Sequence, residues 1–157
     1  MTTLEGKKAP SFSLQNEKGE VVSLQDFAGE KYVVLYFYPK DSTPGCTTQA
    51  CDFRDHHEDF GNLDAVILGV SPDDEKSHQK FIGKHGLPFS LLIDNEHEVA
   101  EKYGVWKLKK MFGREFMGIE RSTFLIDPTG EVVKEWRKVK VKGHIVEALE
   151  TLKEVKA

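Results

Sequence analysis

Tyr32-Val33-Val34-Leu35-Tyr36-Phe37-Tyr38-Pro39-Lys40-Asp41-Ser42-Thr43-Pro44-Gly45-Cys46 is the run from which the rest of the chain can be read. Its first seven residues are apolar or aromatic and β-prone, as in a strand buried on both faces. Pro39 ends that strand. Thr43 suits a helix N-cap and Pro44 the first helical position. A helix is predicted from Pro44 to about Phe60, with Ala50, Phe53, His57 and Phe60 on one stripe and Gly61-Asn62 as the stop. Cys46 then falls in the first turn, among N–H groups with no intrahelical partner and at the positive end of the helix dipole. Both effects favour thiolate over thiol, and the thiolate is the nucleophile. Cys51, five residues on, is the only other cysteine.

Working outward, Phe12 to Leu14 and Val21 to Leu24 flank Asn16-Glu17-Lys18-Gly19 and predict a small hairpin. Ala65 to Val70 predicts a second buried strand. Ser71 is expected to cap a helix through Asp73 to His85, stopped by Gly86. Phe89 to Ile93 reads as a strand, and Glu96 to Tyr103 as a short helix. Val105 to Gly118 mixes aromatics, methionines and basic residues, and is expected to be a long loop with strand character. Thr123 to Ile126 and Glu131 to Trp136 predict a hairpin around Asp127-Pro128-Thr129-Gly130. His144 to Val155 predicts a closing helix. Strands that alternate with helices, then a hairpin and a helix, imply an α/β architecture. The best match is a thioredoxin-like fold, a mixed central sheet flanked by helices with an extra N-terminal β-hairpin.

The 157 residues suit one domain, residues 1–157. The formal charge of −4 argues against nucleic acid as a partner. Five of the nine residues from Lys134 to Lys142 are Lys or Arg, read as a solvated strand edge. No segment approaches the ~20 apolar residues of a membrane span, and no secretory signal is visible. No membrane partner is therefore expected, and a cytoplasmic location is. Two close cysteines in a reducing compartment point to redox chemistry or metal. His56 and His57 could join them around zinc, but cysteines on one helix converge poorly on a tetrahedral ion. No site for haem, flavin or metal is visible, so no cofactor is expected.

A helix terminus alone contributes ~0.3–1 kcal/mol to an anion, up to ~2 in a partly buried site. Each pKa unit corresponds to ~1.4 kcal/mol, so a strongly favoured thiolate also needs a formal cation. Lys40, Arg54, Arg114 and Arg121 are the candidates. Arg121 stands out because it immediately precedes a strand, and strand ends converge at one sheet edge.

Pro39, Thr43 and Cys46, in the order Pro-x-x-x-Thr-x-x-Cys after Phe37-Tyr38, resemble the active-site signature of the peroxiredoxins. Arg121-Ser122-Thr123-Phe124-Leu125-Ile126-Asp127 resembles the segment carrying that family's active-site arginine. Thr43-Pro44-Gly45-Cys46-Thr47, with Ala50-Cys51 and Phe53-Arg54-Asp55, is similar to the peroxiredoxin Q subfamily, also called bacterioferritin comigratory protein. The resemblance runs from Lys8-Ala9-Pro10 through Tyr103-Gly104-Val105-Trp106 to the last helix.

The resemblance implies a thiol peroxidase acting on hydrogen peroxide and organic hydroperoxides, in antioxidant defence and redox homeostasis. It makes Cys46 the peroxidatic cysteine and Cys51 the resolving one, with thioredoxin or a similar dithiol as reductant. Thr43 and Arg121 would orient peroxide and sulfur, and Pro39 would shield the sulfur from water. Phe37, Tyr38 and Trp106 are assigned to the substrate entry. Gln49, where relatives often carry Glu, is not taken as essential. With no third cysteine on a C-terminal arm, a monomer is favoured.

The residues alone leave other readings open. Thr43 could be only a cap, Arg121 a surface ion-pair residue and Cys51 a buried apolar filler. The chain could be a general disulfide oxidoreductase, although that chemistry wants two residues between its cysteines, or a redox-sensing or metal-binding module. One constraint is purely geometric. Five residues along an ideal helix separate Cα atoms by about 8–9 Å. A disulfide needs roughly 4.4–6.8 Å. Cys46 and Cys51 cannot bond while both are helical.

Overall fold

The computed structural model describes residues 3–157. Strands β1 (Ser13–Gln15) and β2 (Val21–Ser23) pair as the expected N-terminal hairpin, followed by a short 3-10 turn, Leu24–Phe27. The central sheet takes β3 (Tyr32–Phe37), β4 (Ala65–Ser71), β5 (Ser90–Ile93), β8 (Ser122–Ile126) and β9 (Val132–Trp136), in the order β5-β4-β3-β8-β9. β3, β4 and β5 run parallel, while β8 and β9 are antiparallel to their neighbours. The basic segment after Val132 therefore begins on the edge strand. The architecture is a thioredoxin-like α/β fold.

The period-2 alternation of β3 divides the core. Val34, Tyr36 and Tyr38 face a layer with Cys46, Phe53, Phe60, Phe81 and Leu149. Val33, Leu35 and Phe37 face Leu92, Val99, Tyr103 and Phe124. The first layer is built by α1 (Pro44–Asp55), α2 (His57–Asn62), α3 (Glu75–His85) and α5 (His144–Lys156). α4 (Glu98–Lys102) lies on the other face. Gly69 on β4 is required by close approach, since a Cβ there would lie 2.7 Å from Leu91 Cδ2 and 2.9 Å from the Tyr36 hydroxyl.

Several boundaries differ from the expected ones, each for a local reason. The first helix does not run unbroken to Phe60. His56 turns its ring Nδ1 to the Asp52 carbonyl (3.0 Å), and the backbone leaves helical geometry there (φ −108°, ψ 8°) before α2 begins. Ser71 does not cap α3, because it still belongs to β4. Asp74 is the cap, accepting from the Ser77 N–H at 2.8 Å. The segment expected as a long loop is a regular antiparallel hairpin, β6 (Trp106–Met111) and β7 (Arg114–Ile119), turning at Phe112-Gly113. Its apolar residues point to both faces, so the alternation that marks a half-buried strand is missing.

Candidate active site

β3 delivers the chain to the carboxyl edge of the sheet, and Pro39 to Thr43 turn it into α1. That loop is anchored from below by Asp41, only 5% exposed. Its carboxylate accepts from the Tyr38 hydroxyl (2.6 Å) and the Ser77 hydroxyl (2.8 Å), and lies 2.6 Å from His78 Nδ1. The Asp41 N–H donates to Asp73 Oδ2 at 2.6 Å. His78 is fully buried, with Nε2 2.9 Å from the Leu92 carbonyl oxygen. Both ring nitrogens face acceptors, which suits the doubly protonated imidazolium. Burial works against that charge, but the hydrogen bond and charge of Asp41 outweigh it and hold the His78 pKa above its ordinary value. A buried, hydrogen-bonded pair thus ties the loop to α3.

At the start of α1 Cys46 is 2% exposed. The two cysteines are free, and Cys51 is half-buried one turn and a half further along the same helix. Tyr36, Tyr38 and Phe53 belong to the apolar layer that includes Cys46, with Tyr36 stacked on both other rings (centroids 5.4 and 4.6 Å). The Tyr36 hydroxyl is buried and has no hydrogen-bond partner among the described residues. Burial, then the charges of Cys46 and Asp41, push its pKa well up, so this phenol stays neutral.

The cation comes from a distant part of the chain. Ser122 pairs with Phe37, so the antiparallel register of β8 sets Arg121 beside the carboxyl end of β3. Its Nη2 donates to Cys46 Sγ at 3.2 Å, and its Nη1 to Gln49 Oε1 at 2.5 Å. Gly45 leaves room for this, since a Cβ there would stand 3.3 Å from Nη2. The guanidinium thus brings a formal positive charge and a hydrogen-bond donor to the sulfur. Arg54 is engaged elsewhere, on Asp55 and the His85 carbonyl. Arg114 lies at the far end of the β6–β7 hairpin.

Two further residues bear on this centre: Gln49, which the sequence did not mark as essential, and Lys109, which it did not mark at all. Gln49 is fully buried and holds the second arm of Arg121. Because its oxygen must face that donor, its Nε2 is left buried and without a partner among the described residues. The signal was available in its spacing, three residues after Cys46 on one helix face. Lys109, on β6, is close enough to interact with both groups. Burial, then the charge of Arg121, lowers its pKa, against the opposing pull of Cys46 and Glu120. Nothing local in the sequence marks Lys109, since its place depends on the hairpin.

Thr43 occupies the N-cap, but its side chain does not cap the helix. Its hydroxyl donates to the Lys40 carbonyl (2.9 Å) and stiffens the loop instead. Pro39 is half-buried at the strand end. Phe37 and Tyr38 are fully covered and line no entry. Trp106 stacks on His97, ring centroids 3.9 Å apart.

Behind Arg121, His144 Nε2 lies 2.8 Å from the Thr123 hydroxyl. Burial pushes the His144 pKa down to about 4; Glu147 opposes the shift and Arg121 adds to it. The unfolded chain has a histidine pKa of ~6.5 and takes up this proton first as pH falls. Stability is therefore complete above about pH 6.5 and declines toward the folded value, by about 3 kcal/mol for this group. Urea unfolding near neutrality and at about pH 4.5 should show a smaller acid loss for His144→Gln than for the wild type. Equal losses would remove His144 as the cause.

Residues 5–135 match the AhpC/TSA family. Over 155 residues the chain is 64% identical to peroxiredoxin Bcp of Bacillus subtilis (strain 168), covering 99% of this chain and 98% of that protein. It is 48% identical over 135 residues to peroxiredoxin Bcp of Xanthomonas campestris, covering 86% of this chain and 84% of that one. The solved structure of Xanthomonas campestris peroxiredoxin Q superposes with TM-score 0.87 at 46% identity, covering 91% of this chain and 90% of that chain. A second structure describes alkyl peroxide reduction by the bacterioferritin comigratory protein of Xanthomonas campestris. It superposes with TM-score 0.88 at 44% identity, covering 93% of this chain and 92% of that one. With a cysteine at a helix start under an arginine, and relatives this similar along nearly its whole length, the chain belongs to the AhpC/TSA family as a peroxiredoxin of the Bcp, or peroxiredoxin Q, type.

Proposed function

We propose that this peroxiredoxin reduces hydrogen peroxide and organic hydroperoxides at Cys46 and is recycled through a Cys46–Cys51 disulfide by thioredoxin or a similar dithiol. The observation that carries the reading is the Arg121 guanidinium donating to Cys46 Sγ at 3.2 Å in the first turn of α1. The Cys46 thiolate attacks the terminal peroxide oxygen. A sulfur–oxygen bond forms, the O–O bond breaks, and the departing hydroxide or alkoxide takes a proton to leave as water or alcohol. Arg121 and the free N–H groups of α1 meet the negative charge as it moves from sulfur to oxygen. Thr43, bonded to Lys40, holds the loop in place, and Pro39 limits water at the sulfur. The Cys51 thiolate then attacks the sulfenic sulfur; an S–S bond forms, the S–O bond breaks, and the departing hydroxide takes a proton from solvent to leave as water. The external dithiol reduces that bond by thiol–disulfide exchange. Residues 1–157 act in this scheme as one domain and as a monomer.

Both sulfurs sit in α1, at a spacing an intact helix cannot bridge. We therefore expect the first turns of α1 to unwind in each cycle, while the Asp41–His78 pair keeps the preceding loop docked on α3. Hydrogen exchange tests this. Oxidation with one equivalent of peroxide should strip protection from amides between Thr47 and Cys51 and leave β3 and β4 protected. An oxidised protein with α1 as protected as in the reduced form would refute the intrahelical disulfide.

A further inference from the structure

We propose that the β6–β7 hairpin is a docking element for an anionic lipid surface. Five of the eight large apolar side chains exposed among the described residues lie on it: Leu108, Met111, Phe112, Phe116 and Met117. Phe112, at the turn, is 94% exposed. It also holds a positive φ of 54°, followed by Gly113 at 75°. A two-residue turn of that kind favours Asn-Gly, and a bulky residue there is strained. An aromatic ring at the strained tip, fully in solvent, is costly twice over for the isolated protein.

The distribution of these side chains selects the occupant. Directly opposed residues share a face, so Leu108 and Met117 lie on one face and Phe116 with Met111 on the other. A flat protein partner would cover one face and leave the other wet. A fluid interface covers both faces and the tip together. From Leu108 to the turn is three residues, about 10 Å, which matches the ~5–10 Å depth of interfacial insertion. The hairpin's one acid, Glu115, pairs with Lys110 at 3.5 Å, and Lys109 is drawn in toward Arg121, while Lys107 and Arg114 add two further cations in a chain of net charge −4. Such a local excess of cations is drawn to anionic headgroups. A second copy would bring like charge against like charge. β7 leads into Arg121 with one residue between, so docking would turn the Cys46 end of the sheet toward the lipid.

The test is co-sedimentation of the intact protein with vesicles of phosphatidylcholine alone and of phosphatidylcholine mixed with phosphatidylglycerol. The wild type should bind the mixed vesicles and be released by salt. Phe112→Asn should lower that binding by about tenfold, the loss expected when one buried Phe ring is removed. Because Asn-Gly suits the turn, this variant should unfold at the same temperature or higher and turn over hydrogen peroxide with dithiothreitol at the wild-type rate. Wild-type protein that ignores both vesicle types, or Phe112→Asn that binds them equally, overturns the proposal. So does a variant whose only defect is loss of a dimer, or a higher KM for thioredoxin, which would assign the patch to a second copy or to the reductant.

Discussion

Cys46→Ser should abolish peroxide turnover, while Cys51→Ser should spare one reaction per chain. The two sulfurs differ in position more than in chemistry. Cys46 is covered, at the first turn of α1, and accepts from the Arg121 guanidinium. Cys51 lies further along the helix, half-buried. Serine in place of Cys46 would keep the hydrogen bond, but its hydroxyl does not ionise near neutrality and is a weak nucleophile without a base. Peroxide loss driven by thioredoxin, thioredoxin reductase and NADPH should fall to background. Cys51→Ser should still consume one equivalent of peroxide, gain one oxygen atom by mass, and then stall with thioredoxin. Wild-type turnover by Cys46→Ser would end the peroxidase mechanism proposed here. Undiminished thioredoxin-driven turnover by Cys51→Ser would leave it standing and move resolution to an outside thiol.

Arg121→Met should lower kcat/KM for hydrogen peroxide by about 10²–10³-fold, the usual loss when a preorganised donor to developing charge is removed. The side chain is only half-buried and fills no core layer, so unfolding should change little. Gln49→Leu should act in the same direction but less, by roughly tenfold. It leaves the Sγ contact and removes the acceptor on Nη1, and a hydrogen bond to a charged group contributes ~1.5–3 kcal/mol. Gln49→Glu keeps an acceptor and eliminates the buried unpaired Nε2, so it should stay within a few-fold of wild type. Single-turnover rates of sulfur oxidation are the measurement, because they exclude the recycling steps. Arg121→Met reacting as fast as wild type would leave the dipole of α1 as the sole activator.

Much of the framework was legible because its signals are local. The apolar run at Tyr32, the Thr43-Pro44 helix start and the Asp127-to-Gly130 turn each specify their own backbone. The errors arose where neighbouring residues compete for one role or where the pattern carries no burial signal. His56 breaks the helix through its own ring, and Asp74 displaces Ser71 as a cap because β4 claims Ser71 for the sheet. The β6–β7 hairpin was missed because its apolar residues face solvent on both sides, which periodicity cannot distinguish from a loop.

By itself the sequence determined that a thiol sits at a helix start after a buried strand, since proline, a capping residue and a β-prone run act within a few residues of one another. It also determined that Cys46 and Cys51 cannot join inside a helix, which follows from helical rise alone. Only the tertiary structure decided which cation meets the sulfur. Arg121 is 75 residues from Cys46, and its approach depends on Ser122 pairing with Phe37 across β3 and β8. The Gln49 clasp, the Asp41–His78 anchor and the nearness of Lys109 likewise depend on how separate elements stack. Hydrogen bonds and charge effects are set by distance in space, and no short window of sequence contains that distance.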